Sequence, residues 1–157
     1  MIKMLVMDVD GTLTDGKIYM GEHGEIMKAF DIQDGYGIAH ILPEIGVVPV
    51  IITGRQSQIV ENRAKELGIK ELYQGVSNKA LQLEKIIEKH GLSLDEVAYI
   101  GDDLNDLDCI KLCGMSTCPQ NAVNQVKQEV DYVCSHFGGQ GAVREFIEYI
   151  KSQNEQC

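Results

Sequence analysis

A chain of 157 residues, 44% of them apolar, has the size and composition of one globular domain, and residues 1–157 are taken as a single unit. A formal net charge of −10 excludes nucleic acid and anionic membrane as natural partners, and no apolar stretch is long enough to span a bilayer. Five cysteines with no CxxC pair, and a start that runs straight into an apolar segment with no signal peptide, point to a cytoplasmic protein with reduced thiols.

Taken in chain order, the first element is Met4-Leu5-Val6-Met7, which runs into Asp8-Val9-Asp10-Gly11-Thr12. A short continuous apolar run reads as a strand buried on both faces, as in a parallel sheet. Residues from about 12 to 33 break the pattern. Lys17–Met20 and Glu25–Phe30 flank Gly21-Glu22-His23-Gly24, which predicts a β-hairpin standing over the Asp8 cluster as a flap or serving as an interface. A helix is expected at about 35–45, followed by a second buried strand, Val47–Ile52, that ends at Thr53-Gly54-Arg55. Helices are expected at about 57–68 and 78–91, and Ser93-Leu94-Asp95-Glu96 has capping-box spacing but reads as a short turn. A third buried strand, Val97–Ile100, ends at Gly101-Asp102-Asp103 with Asp106 beyond, and helices follow at about 104–113, 122–129 and 140–152. The alternation predicts an α/β fold, a Rossmann-like parallel sheet with helices on both faces.

Ligands of such sheets bind outside the carboxyl ends of the strands, so the three polar clusters are expected to converge. Asp8 and Asp10 lie two apart, and an apolar strand end does not hold two carboxylates without a cation. Asp8 with Asp102 gives the one or two carboxylates that Mg²⁺ prefers, whereas Asp103 and Asp106 suit helix capping or an outer shell. Thr53 offers a hydroxyl, and Gly54 lets backbone N–H groups approach an anion. Lys79 follows Asn78, a good N-cap, and a cation in a first helical turn makes sense if it faces an anion; Arg55 is expected to share that position on the preceding helix. The global charge repels a phosphate, so metal and local cations must supply the attraction. The chemistry that follows is phosphate-monoester hydrolysis. Asp8 attacks phosphorus, Thr53 and Lys79 hold the other oxygens, and Asp10 protonates the leaving alkoxide and then activates water.

These residues resemble the haloacid dehalogenase superfamily of phosphatases, whose four motifs appear in order as Asp8-Val9-Asp10-Gly11-Thr12, Thr53, Lys79 and Gly101-Asp102-Asp103. The resemblance implies Asp8 as nucleophile, Asp10 as acid/base, Thr53 and Lys79 as phosphate ligands, and Mg²⁺ held by the Asp8 carboxylate, the Asp10 carbonyl and Asp102. Asp34–Ile38, Thr53–Arg55, Leu72–Gly75 with Ser77–Lys79, and Gly138–Glu145 are similar to the subgroup acting on 3-deoxy-D-manno-octulosonate 8-phosphate. That subgroup has no separate cap domain and forms homotetramers in which hairpin strands pack into a central barrel and a neighbour helps close each site. Arg55 and Arg63 match positions where it and its relatives contact substrate or differ from one another. Gln140 departs from the basic residue usual there, and the chain ends soon after Glu145.

A sialic-acid-type nonulosonate 9-phosphate is the alternative substrate, which Arg55 disfavours. From another class, a receiver-like phosphoacceptor is disfavoured because Asp8-Val9-Asp10 precedes the second acidic group, and a non-catalytic regulatory subunit because every chemical position is intact.

Overall fold

The computed structural model describes residues 1–157. Strand β1 (Met4–Met7) is followed by the hairpin β2 (Tyr19–Gly21) and β3 (Gly24–Met27), which is antiparallel and stands apart from the main sheet. Next come α1 (Ile32–Tyr36), a wide π-type turn over Gly37–Ile41 and α2 (Leu42–Glu44), which together replace the single helix expected at 35–45. The remaining elements are β4 (Val48–Ile52), α3 (Gln58–Glu66), β5 (Glu71–Tyr73), α4 (Lys79–His90), β6 (Val97–Ile100), α5 (Leu107–Leu112), β7 (Met115–Cys118), α6 (Asn124–Lys127), β8 (Tyr132–Val133) and α7 (Ala142–Glu155).

The strands form one six-stranded sheet in the order β5-β4-β1-β6-β7-β8, and every pairing is parallel. Successive side chains of a strand alternate between faces, and the core follows that rule. Leu5, Met7, Ile51, Ala98 and Ile100 enter one cluster with residues of α2, α3 and α7, among them Leu42, Ala64, Phe146 and Ile147. Met4, Val6, Val50, Ile52, Val97 and Tyr99 enter the other with Leu83 and Ile86 of α4, Ile110 of α5 and Val126 of α6. The predicted parallel sheet with helices on both faces is therefore what the chain builds.

Three local outcomes refine the sequence reading. Ser93–Glu96 forms a 3₁₀ turn over Leu94–Glu96 with its capping box made, the Ser93 N–H donating to Glu96 Oε2 at 2.9 Å. The α6 helix is a single turn, shorter than expected, and α7 runs to Glu155. All five cysteines are free, and Cys109, Cys118 and Cys134 pack as small buried groups.

Candidate active site

Strands β4, β1 and β6 lie side by side, so the segments leaving their carboxyl ends meet. Asp8 is still tied to the sheet, its N–H donating to the Ile100 carbonyl at 3.1 Å. The chain then turns sharply, with the N–H groups of Thr12, Leu13 and Thr14 all directed at the Val9 carbonyl, at 3.1, 2.9 and 3.1 Å. Gly11 sits in this turn at φ +88°, where a Cβ would lie 2.1 Å from Asp102 Oδ2, so both the conformation and the close approach require glycine. Backing comes from the Gly138–Gly141 stretch. A Cβ on Gly138 would fall 2.0 Å from the Gly11 carbonyl oxygen, and the Gly139 N–H donates to the Thr12 carbonyl at 3.1 Å. Asn121 clamps the two segments, donating to the Gly11 carbonyl at 2.9 Å and accepting from the Gly138 N–H at 2.6 Å.

Beneath this turn lies a buried charged cluster. Lys79, the first residue of α4, is 3% exposed and places its ammonium 2.9 Å from Asp8 Oδ1 and 2.9 Å from Asp106 Oδ1. Tyr99 OH donates to Asp106 Oδ1 at 2.6 Å, and the N–H groups of Asp102 and Asp103 donate to Asp106 Oδ2 at 3.0 and 3.2 Å. Asp106 is thus a filled hub that orients Lys79 and the Asp102 loop. Asp103 caps the 3₁₀ turn Leu104–Asp106 through the Leu104 N–H at 2.8 Å. Burial works against the Lys79 charge, but Asp8 and Asp106 outweigh it and hold the ammonium above its usual range.

Carboxylate oxygens of Asp8, Asp102 and Asp106 approach within 4.8 Å of one another. Burial, helped by Asp106, raises the Asp8 carboxyl against the opposing pull of Lys79. Burial together with Asp8 and Asp106 pushes Asp102 up to about 9. Such a cluster asks for a cation, and the donor set fits a hard divalent ion. Asp8 and Asp102 present oxygens to the cleft side, the Asp10 carbonyl accepts no hydrogen bond within the chain, and Asp106 has none to spare. Thr12 Oγ1 donates to Asp102 Oδ1 at 3.1 Å and fixes that carboxylate.

Above the cluster opens a polar cleft of about 190 Å³ lined by Asp8, Asp10, Thr53, Gly54, Arg55, Asp102, Asp103 and Asn105. The structure therefore brings together the residues expected at the three strand ends, with Lys79 and Asp106 beneath its floor. Two expectations change. Arg55 lies in the loop before the α3 cap, Ser57, and not in the first helical turn. Arg63 does not reach the cleft of its own chain. It faces an internal apolar cavity beside Asp34, its guanidinium 5.5 Å from the Phe30 ring and its Nη1 3.1 Å from Glu66. The sequence reading missed Asn105, Tyr99 and Asn121, and above all Glu25 and Lys28, which the hairpin brings to Arg55 and Asp10.

The family model of haloacid dehalogenase-like hydrolases matches residues 67–147. The chain is 44% identical over 149 residues to 3-deoxy-D-manno-octulosonate 8-phosphate phosphatase of Escherichia coli K12, spanning 95% of this chain and 79% of that protein. The crystal structure of the Moraxella catarrhalis phosphatase of the same name, in complex with magnesium, phosphate and KDO, superposes with a TM-score of 0.92 at 43% identity, covering 96% of this chain and 86% of that one. The cobalt-bound form of the Haemophilus influenzae phosphatase gives 0.94 at 36% identity, with 98% and 90% covered.

Proposed function

The chain belongs to the haloacid dehalogenase-like hydrolases, and on that footing we propose that it removes the terminal phosphate of a sugar acid, 3-deoxy-D-manno-octulosonate 8-phosphate, through an aspartyl-phosphate on Asp8. The observation that carries this reading is the division of labour at Asp8. Lys79 holds its Oδ1 from beneath, while the carboxyl lines the cleft, where its other oxygen is the one proposed to attack phosphorus. Substrate class is supported by the octulosonate 8-phosphate phosphatases among the relatives, one of them holding KDO and phosphate.

In the proposed reaction the substrate phosphoryl group enters the cleft between Asp8 and Thr53. Asp8 Oδ2 forms a bond to phosphorus as the bond to the sugar oxygen breaks, and Asp10 gives its proton to that oxygen. Thr53, the N–H groups around Gly54 and Lys79 hold the non-reacting oxygens, Lys79 from below with the same ammonium that keeps Asp8 aligned. Asp10, now a carboxylate, takes a proton from the water that attacks the phospho-aspartate, which returns free Asp8 and inorganic phosphate. Asp8, the Asp10 carbonyl and Asp102 would hold Mg²⁺, whose chemistry is to neutralise negative charge shared by nucleophile and phosphoryl oxygens. Magnesium and cobalt in the two similar structures support that assignment. Arg55, on the cleft rim, is the proposed contact for the substrate's carboxylate.

The same proposal includes a cytoplasmic homotetramer. The hairpin exposes Tyr19, Met20, Ile26 and Met27, apolar surface of the kind that a second copy covers. The test of function is phosphate release with Mg²⁺ from the octulosonate 8-phosphate, two nonulosonate 9-phosphates and a hexose 6-phosphate, with Asp8→Asn as control. Preference for the eight-carbon acid, abolished by Asp8→Asn in a folded protein, is the expected result. Preference for a nine-carbon acid would move the substrate and keep the chemistry, and an unchanged rate in Asp8→Asn would overturn the mechanism.

A further inference from the structure

The hairpin carries two charged residues, Glu25 and Lys28, that the chemistry above does not use. Lys28, just past β3, has a fully buried side chain, and its ammonium pairs with Asp10 Oδ1 and with Glu25 Oε2, the latter at 3.1 Å. A buried ammonium is costly unless acceptors surround it, so this one is balanced by the Glu25 carboxylate and hydrogen-bonded to Asp10 Oδ1, and in turn fixes both side chains. Glu25 is anchored on the far side. Ser57 Oγ donates to Glu25 Oε1 at 2.6 Å, and Arg55 Nη2 lies 3.4 Å from Oε2. Hydrogen bonds from Ser57 and Lys28 overcome the effect of burial and hold the Glu25 carboxyl below its usual range. The chain of contacts Ser57–Glu25–Lys28–Asp10 thus runs from the α3 cap, through the hairpin, to the lip of the cleft.

We propose that Lys28 is a positioning residue for Asp10: by occupying Oδ1 it presents Oδ2 as the single oxygen that exchanges a proton with the departing alkoxide, with Glu25 as its anchor. The proposal rests on the acid/base reading of Asp10 and deepens it. In the unclamped case Asp10, with about a fifth of its side chain exposed, has solvent-side rotamers open to it. The clasp removes that freedom, and precise placement of a proton donor is worth much of its effect. It also gives the hairpin a chemical task in addition to its exposed apolar surface.

The leaving group supplies the test. An aryl phosphate such as p-nitrophenyl phosphate departs as a stable phenolate and needs little help from an acid, whereas an alkyl phosphate needs the proton. The value of kcat/KM reports steps up to release of that group. Wild type, Lys28→Met, Lys28→Arg and Asp10→Asn are compared on both esters with Mg²⁺. We expect Lys28→Met to lower kcat/KM roughly 10²-fold on the alkyl ester, through kcat, and only a few-fold on the aryl ester, in line with the size of general-acid effects. Lys28→Arg should recover most of the loss. Because an unpaired Glu25 or Asp10 threatens folding, the charge-balanced Lys28→Met/Glu25→Gln variant is run alongside and should show the same discrimination. Equal losses on both esters in these variants, with Asp10→Asn still discriminating, would overturn the role of Lys28 alone. Absence of discrimination in Asp10→Asn would overturn the acid/base reading, and the inference with it.

Discussion

Asp106 and Asp34 are both buried aspartates in the first turn of a helical segment, on opposite faces of the sheet, yet the chain treats them in opposite ways. Asp106 accepts from four donors, and its two oxygens are filled by Lys79, Tyr99 and the N–H groups of Asp102 and Asp103. Asp34 accepts the Arg144 N–H at Oδ1, at 2.9 Å, while its Oδ2 is buried with no partner. Nε of Arg63 is equally unpartnered, and both residues line an apolar cavity walled by Val9, Leu13, Phe30 and Val60. Burial pushes the Asp34 carboxyl up to about 6. A buried carboxyl is costly to ionise where donors do not converge on it, as at Asp34. The chain concentrates its donors under the cleft, where they also fix Lys79 and Asp8.

Removing the filled hub gives the largest expected effect. Asp106→Ala leaves Lys79 with one buried carboxylate and deprives Tyr99 OH and two N–H groups of their acceptor. Breaking a buried ion pair from one side costs about 3–5 kcal/mol, so the urea midpoint should fall steeply, and turnover should fall with it because Lys79 loses its second anchor. A variant as stable as the parent would mean that the hub contributes no net stability.

Asp34 tests the other half of the contrast, through pH. Its folded value, about 6, lies above that of an unfolded aspartate, so the folded chain binds more protons over the interval between them. Stability from this group is therefore fully present below about pH 4 and is lost as pH rises to about 6. The two-unit difference corresponds to about 2–3 kcal/mol at most. Asp34→Asn keeps an acceptor for the Arg144 N–H and removes the charge. The wild-type minus variant difference in unfolding free energy should thus decline from pH 4 to 6 and level off above. Taking the difference cancels the depressed carboxyls, such as Glu71 at about 2, whose contribution has the opposite sign. A flat difference curve would show that Asp34 has found a donor in solution, with water in the cavity the natural one.

The contrast also marks how far the sequence could be read. Strands β1, β4 and β6 were legible because they are apolar runs ending in Asp8, Thr53 and Asp102, and those ends line the cleft. Strands β5, β7 and β8 read Glu-Leu-Tyr, Met-Ser-Thr-Cys and Tyr-Val, too short and too mixed for a periodic signal, and they take their place through pairing and through side chains such as Leu72, Cys118 and Tyr132 that reach the core. The hairpin was visible from its glycines, but not which of its side chains turn inward, so Glu25 and Lys28 passed unnoticed. Tyr99 looked like one more core residue, because strand alternation gives the face of a side chain and not the reach of its hydroxyl. Arg63 entered only through the family resemblance, and helix spacing alone does not say that its side chain lies beside a buried aspartate in its own chain.

The smallest effect separates two ways of holding Lys79. Asn78 caps α4, its Oδ1 accepting the Leu81 N–H at 3.0 Å, so the helix start aims Lys79 toward Asp8 from one side while Asp106 grips the ammonium from the other. Loss of such a cap costs about 1 kcal/mol. If the hub dominates, Asn78→Ala should lower stability by that amount and leave kcat nearly unchanged, because two carboxylates 2.9 Å from the ammonium still define its position. A drop in kcat much larger than the loss of stability explains would mean that the backbone entry into α4, and not the saturated carboxylate, sets where Lys79 lies. Asp106 would then serve chiefly to neutralise a buried charge, and its difference from Asp34 would concern stability more than catalysis.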